Sequence, residues 1–179
     1  QEKADKRALL DNLARLQLNF ERMPIGCIIW DTSFRAVSWN PAAEKIFGFS
    51  AQEALGKHPY DLIVQKEEQP QIDDIWHRLL EGDFTAHSTN RNITKKGQRI
   101  ICEWANTPLR QEDGCILGVL SIVEDVTEVK RAEAALRESE ERYRDLFENA
   151  NDLIQCLYPD GRIEYVNKAW RKTLGYRAE

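Results

Sequence analysis

The spacing of apolar positions changes period along this chain, and the changes predict its elements. Between residues 2 and 22 the apolar residues recur as Leu9, Leu13, Leu16, Phe20 and Met23, in steps of four and three. That is a helix with a heptad seam. Glu2–Lys6 and Asp11–Arg15 add opposite charges at i,i+4. Two readings of the seam stand side by side: it covers this domain's own sheet, or it pairs with a second chain. Pro24-Ile25-Gly26 ends the helix. Ile25 to Trp30 then reads as an apolar strand, Asp31-Thr32-Ser33 as a turn, and Arg35 to Trp39 as the return strand.

Asn40-Pro41 starts the next helix: Asn is a strong N-cap, and Pro suits the first helical position because its missing N–H would be unpaired there anyway. Gly48 closes that helix. Ser50-Ala51-Gln52-Glu53 is a capping box opening a second short helix that ends at Gly56. Ile72, Ile75, Trp76 and Leu79 place a longer amphipathic helix over residues 70–81. Three long strands follow, Ala86 to Thr94, Gln98 to Leu109 and Ile116 to Val126, the first two joined at Lys95-Lys96-Gly97. Two strands, several short helices and three strands predict a five-stranded antiparallel sheet with helices packed on one face, an α+β domain.

The last strand runs through Asp125-Val126-Thr127-Glu128 into a charged helix. Asp125 and Glu128 are three apart, as in a capping box with Asp at the N-cap. Val129, Ala132, Leu136, Ser139, Tyr143, Leu146 and Ala150 form a second heptad seam, weakened by its small and polar members. Glu133–Arg137, Glu138–Arg142 and Glu140–Arg144 are favourable i,i+4 pairs.

Shifted by 127 positions, so that Asn40 falls on Asn167, the chain overlays itself without a gap. Phe20-Glu21 falls on Phe147-Glu148, Arg35 on Arg162, Ala42 on Ala169, Gly48 on Gly175 and Ala51 on Ala178. This is the mark of two related units in tandem. The second lacks the three long strands, so it is expected not to close a core alone.

Composition narrows the function classes. The chain has 179 residues, 42% hydrophobic and 31% charged, with a net charge of −5. Mild acidity argues against a nucleic-acid partner, because phosphate binding needs a concentrated basic face. No apolar run approaches the ~20 residues of a membrane span. The chain opens on Gln, not Met, and stops within a pattern, so it is expected to come from a longer protein. Cys27, Cys102, Cys115 and Cys156 have no C-x-x-C spacing; Cys27 and Cys102 lie within apolar strands, and the thiols are expected to be buried and reduced in a cytoplasmic protein.

Four stretches, in order, carry a family resemblance. They are W-N-P-A-A-E-K-I-F-G-F-S (Trp39 to Ser50), T-K-K-G-Q-R (Thr94 to Arg99), P-L-R-Q-E-D-G-C-I-L-G-V (Pro108 to Val119) and D-V-T-E (Asp125 to Glu128). Together they resemble a bacterial PAS domain, and S-E-E-R-Y-R-D-L-F-E-N-A from Ser139 resembles the lead-in to a following one. The resemblance implies an N-terminal amphipathic helix over 1–23, a PAS domain over 24–126, a signalling linker helix over 127–150, and the truncated start of a second PAS domain over 151–179. It further implies a sensory or dimerising module of a signalling protein, such as a histidine kinase or a diguanylate cyclase. Neither a phosphoacceptor box nor G-G-D-E-F is present, so the chain is not expected to be an enzyme itself. Asp125, Thr127 and Glu128 would relay a signal into a homodimeric coiled coil formed by the N-terminal and linker helices.

No cofactor is specified. Haem ligation is not expected, because His77 falls two turns past the haem-PAS position, near Gln71. Covalent flavin chemistry needs a cysteine between His58 and Val64, and none is there. His58, His77 and His87 are too scattered for a metal site, and Asp73-Asp74 reads as a solvated helix face. A small-molecule pocket is the remaining candidate. The family's strand pattern turns Ser88, Asn90 and Asn92, then Ile100, Cys102, Trp104 and Asn106, then Val119, Ser121 and Val123 toward the helices, with Trp39 and Trp76 as walls. The alternative is a closed core whose polar groups satisfy one another.

Overall fold

The computed structural model describes the backbone of residues 2–82 and 86–176, and the side chains among them except those of residues 2–5 and 8. The Glu2–Lys6 pair and the Ala51–Ala178 correspondence lie outside the described residues. Contacts divide the chain into two compact units, Gln1–Glu128 and Val129–Glu179.

In the first unit, α1 (Glu2–Arg22) leads to the hairpin β1 (Gly26–Asp31) and β2 (Ala36–Trp39). Helices α2 (Pro41–Phe47) and α3 (Ala51–Ala54), two 3-10 turns (Pro59–Asp61 and Lys66–Glu68) and α4 (Gln69–Glu81) follow. Strands β3 (Ala86–Ile93), β4 (Arg99–Arg110) and β5 (Ile116–Asp125) complete a five-stranded antiparallel sheet in the order β2-β1-β5-β4-β3. The expected α+β architecture is the one found. α5 (Thr127–Asn149) leaves the end of β5.

Local chemistry sets the short helices. The Asn40 side chain accepts the Ala43 N–H, Pro41 opens α2, and Gly48 closes it at φ 79°. Ser50 and Glu53 make the reciprocal capping box of α3. The three long strands alternate as expected: Ile100, Cys102, Trp104 and Asn106 are buried on β4, with Val119, Ser121 and Val123 on β5 and Asn90 and Asn92 on β3. Gly118 interrupts β5 for a steric reason. A Cβ there would lie 2.1 Å from the Trp30 carbonyl oxygen, so β5 can approach β1 only without one. The core gathers Ile28, Trp30, Phe47, Ile63, Leu79, Val119 and Val123 between sheet and helices. Each large side chain fully buried there contributes about 1.5–3 kcal/mol.

Much of the apolar seam on each long helix is exposed. Leu9, Leu13 and Leu16 on α1 and Val129, Leu136 and Leu146 on α5 are each more than half exposed. On α5, Glu138 pairs with Arg142 as expected, while Arg137 turns to Glu141 and Glu133 to Lys130.

In the second unit, β6 (Gln155–Leu157) and β7 (Ile163–Val166) form a two-stranded sheet and α6 (Lys168–Leu174) follows. Leu153, Leu157, Ile163 and Leu174 stay exposed, as expected for a unit without the strands that would cover them. No described helix is long and apolar enough to cross a membrane.

Candidate functional site

A cavity of about 40 Å³ lies between the inward face of the sheet and α4. β3, β4 and β5 contribute Ser88, Asn90, Asn92, Trp104, Asn106 and Ser121; α4 contributes Ile72, Ile75, Trp76 and Leu79. Trp30, Phe34, Pro59, Ile63 and Val64 complete the wall, so the described lining carries no charged side chain.

The polar groups of the wall form three short chains. Trp30 Nε1 donates to Ser121 Oγ at 2.9 Å, Ser121 Oγ donates to Asn106 Oδ1 at 2.6 Å, and Asn106 Nδ2 donates to the Ala86 carbonyl at 3.3 Å. Trp104 Nε1 donates to Asn92 Oδ1 and Asn92 Nδ2 to the Ile63 carbonyl, both at 3.1 Å. Gln71 Nε2 donates to Asn90 Oδ1 at 3.3 Å, and Asn90 Nδ2 to Ser88 Oγ at 3.2 Å. Burial of these groups is thereby compensated. An amide has four hydrogen-bonding positions, and each Asn here uses two of them among the described residues.

Of the residues expected at the pocket, Trp76, Asn90, Asn92, Trp104, Asn106 and Ser121 line it, with Ser88 beside them. Trp39, Cys102 and Val123 lie instead in the packed core. The reason is α2, which packs against β1 and β5 and fills that end of the sheet, with Phe47 stacked on Trp104 at 5.9 Å. Trp39 meets Trp30 edge-on at 6.4 Å, and its buried Nε1 has no hydrogen-bond partner among the described residues. Burial pushes the Cys102 thiol up to about 12, with the Asp125 carboxylate adding to the shift. His77 is exposed, its Nδ1 2.7 Å from the Asp73 carbonyl oxygen. Among the described residues no group of three His, Cys, Asp or Glu side chains is placed to hold a metal ion.

An aromatic cluster, unexpected from the sequence, closes one side of the cavity. Phe34 stacks on Trp76 with ring centroids 3.9 Å apart and planes 8° from parallel. Trp30, His58 and Tyr60 meet Phe34 edge-on at 5.4, 5.1 and 6.2 Å. Phe34 adopts φ 58°, the left-handed region, at a cost of roughly 1–3 kcal/mol for a bulky residue. Tyr60 donates its hydroxyl to the Asp73 carboxylate, so Asp73 is more than a solvated residue. Burial, aided by that carboxylate, pushes the Tyr60 phenol well above its usual range. Burial likewise holds the His58 imidazole below its ordinary value, and its Nδ1 accepts the Tyr60 N–H at 3.3 Å.

At the other end of β5, one hydroxyl joins three elements. Thr127 Oγ1 accepts the Ile101 N–H of β4 at 2.8 Å and donates to the Asp125 carboxylate. That carboxylate also accepts the Thr127 N–H at 2.9 Å, and the Val126 N–H donates to the Ile101 carbonyl at 2.9 Å. The helix begins at Thr127, and Asp125, opposite Cys102 in the β5 ladder, accepts the N–H two residues on, the bond that an N-cap side chain makes.

Known proteins place this architecture. Residues 20–131 match the family described as the PAS fold, and residues 141–179 match the PAS domain. Sporulation kinase E of Bacillus subtilis is 28% identical over 151 residues, 84% of this chain and 20% of that protein. The probable diguanylate cyclase DgcE of Escherichia coli is 24% identical over 131 residues, 69% of this chain and 11% of that protein. A solved PAS domain from Colwellia psychrerythraea superposes with a TM-score of 0.61 at 20% identity, covering 65% of this chain and 98% of that one. The chain spans a fifth or less of the length of the curated relatives it matches. With its five-stranded sheet, its helical face and a family match over residues 20–131, the chain belongs to the PAS family.

Proposed function

We propose that this chain is the sensory PAS module of a larger cytoplasmic signalling protein of the histidine kinase or diguanylate cyclase type. In this reading it is a homodimer through α1 and α5, and catalysis resides in other domains of the parent protein. A change in the sheet passes through Asp125 and Thr127 into α5. The supporting observation is the Thr127 hydroxyl, which bonds the β4 backbone and the β5 terminus while belonging to the first residue of α5. A shift of β4 against β5 must stretch or break one of those bonds. Each is worth about 0.5–1.5 kcal/mol net, enough to bias a two-state element by several-fold. The relatives that are kinases and cyclases fit the same assignment.

The test is made in the parent protein. Thr127→Val removes the hydroxyl at nearly constant shape, and Thr127→Ser restores it. The expected result is a several-fold change in kinase or cyclase output in Thr127→Val and Asp125→Ala, a return to normal in Thr127→Ser, and an unchanged circular dichroism spectrum throughout. Normal output in both damaged variants would sink the relay. A second reading, a constitutive dimerisation spacer, draws on the small volume of the cavity and the mutual bonding of its polar groups. It predicts normal output in both variants.

A further inference from the structure

The turn between β1 and β2 carries a ring that its counterpart in the second unit does without. Both turns close with the same backbone bonds. Asp31 N–H reaches the Arg35 carbonyl at 2.9 Å and Phe34 N–H the Asp31 carbonyl at 3.0 Å; Tyr158 N–H reaches the Arg162 carbonyl at 2.8 Å and Gly161 N–H the Tyr158 carbonyl at 2.9 Å. The last turn position has φ 58° at Phe34 and φ 87° at Gly161. Glycine is what such a backbone favours, and a bulky residue is what it penalises. The turn therefore has no use for phenylalanine, so the reason for it lies in what the ring contacts.

That ring lies flat on Trp76 and forms part of the cavity wall. The space behind it is about 40 Å³, whereas a cavity that binds benzene measures roughly 150 Å³. With Phe34 in place a ring-sized guest is shut out. With Phe34 withdrawn, the vacated slot is planar, has Trp76 as its floor, and joins a cavity whose polar wall is Ser88, Asn90, Asn92, Asn106 and Ser121. The described wall carries no charge, so a charged guest would be desolvated without a partner.

We propose that Phe34 is an intramolecular plug in a slot that takes a small uncharged planar ring bearing a hydrogen-bonding group, and that such a ligand binds by displacing it. Displacement frees the edge of Trp30, whose Nε1 bonds Ser121 on β5, the strand that runs into Thr127. The proposal specifies the input of the sensory module and rests on that reading only for its consequence. Binding is measured on this chain alone, whereas the relay is tested by output in the parent protein, so either can fail without the other.

The experiment is isothermal titration of the 179-residue chain with indole as probe, and with indole-3-carboxylate and cyclohexanol as charged and non-planar controls. Phe34→Gly gives the turn the residue its counterpart already has. It is expected to bind indole at least tenfold more tightly than the wild type and to gain nothing toward either control. Phe34→Asn, also tolerant of a left-handed backbone, is expected to show the same gain and decides the matter if the glycine variant does not fold. Equal indole affinity in wild type and variants, no indole binding by the variants at millimolar concentration, or equal gains for the charged ring each overturn the proposal.

Discussion

Asn40 and Asn167 hold matching sets of hydrogen bonds in the two units. Asn40 Oδ1 accepts the Cys27 N–H at 2.8 Å and the Ala43 N–H at 2.9 Å, while its Nδ2 donates to the Ile25 carbonyl at 3.0 Å. Asn167 Oδ1 accepts the Ile154 N–H at 3.1 Å and the Trp170 N–H at 3.0 Å, and its Nδ2 donates to the Asp152 carbonyl at 2.8 Å. Both residues are fully buried. One amide thus caps a helix and pins the strand before it. Asn40→Ala removes the cap, worth about 1 kcal/mol, and strands the buried Cys27 N–H, worth about 1–3 kcal/mol. The expected loss is about 2–4 kcal/mol in urea unfolding, and a loss below half a kilocalorie would contradict it.

Burial, expected for the thiols, holds for two of the four. Cys115 and Cys156 are exposed, whereas Cys27 and Cys102 are buried. Under native conditions a thiol-disulfide reagent is expected to modify the first two at once and the second two only at the rate of unfolding. Equal rates for all four would refute this. The raised Cys102 value adds an alkaline signature. The thiol ionises near 9 in the unfolded chain and near 12 in the fold. Its contribution is therefore fully present below pH 9 and is lost as pH climbs from 9 toward 12. Cys102→Ala is expected to flatten the stability profile in that window, as read by thermal unfolding at fixed ionic strength.

The sheet was legible because strands have a period of two. The period sorts each strand into two faces, and the PAS resemblance implies which face turns inward: Cys102, Trp104 and Asn106 with Asn90, Asn92 and Ser121, all of them buried. The end of the sheet that stays open was not legible. It depends on α2 filling one end while α4 spans the other, and no local pattern encodes that choice. Trp39 illustrates the failure: a tryptophan at the end of an inward-facing strand reads like a pocket wall, and Phe47 packs against it instead. Phe34 was missed for a different reason. It closes a turn that the sequence pattern ends at Ser33, and only its alignment with Gly161 marks it as unusual.

Glu53 offers an acid-side test. Its carboxylate bonds the Lys95 ammonium, the Ser50 N–H and the Ser50 hydroxyl, and these partners hold it down at about 2 against 4.5 for a free glutamate. A depressed folded value means that the stabilisation is complete above pH 4.5 and is lost as pH falls toward 2. The pair is solvent-exposed, so salt will screen it. Carbon-detected NMR titration of Glu53 is expected to give a midpoint well under that of a free glutamate, moving up in Lys95→Met. A midpoint near 4.5 in the wild type would show that the cap and the ion pair do not persist in solution.

The exposed seams carry the dimer proposal. Leu13 and Leu16 on α1, and Leu136 and Leu146 on α5, expose 53, 65, 62 and 66% of their surfaces. Leucines at heptad spacing on an otherwise charged helix are stable in water when a second helix covers them. Burying one such side chain contributes about 1.5–3 kcal/mol, and twofold symmetry counts each substitution twice. Leu16→Glu is therefore expected to weaken self-association by roughly 10²–10⁴ in Kd. Leu136→Glu is expected to do less, because Ala132 and Ser139 make the α5 seam poorer in the apolar surface that a partner would cover. Sedimentation velocity across the micromolar range distinguishes the outcomes. A dimer in the wild type that becomes monomeric in Leu16→Glu supports pairing through α1, and a wild-type monomer throughout the range removes the coiled coil from the signalling path.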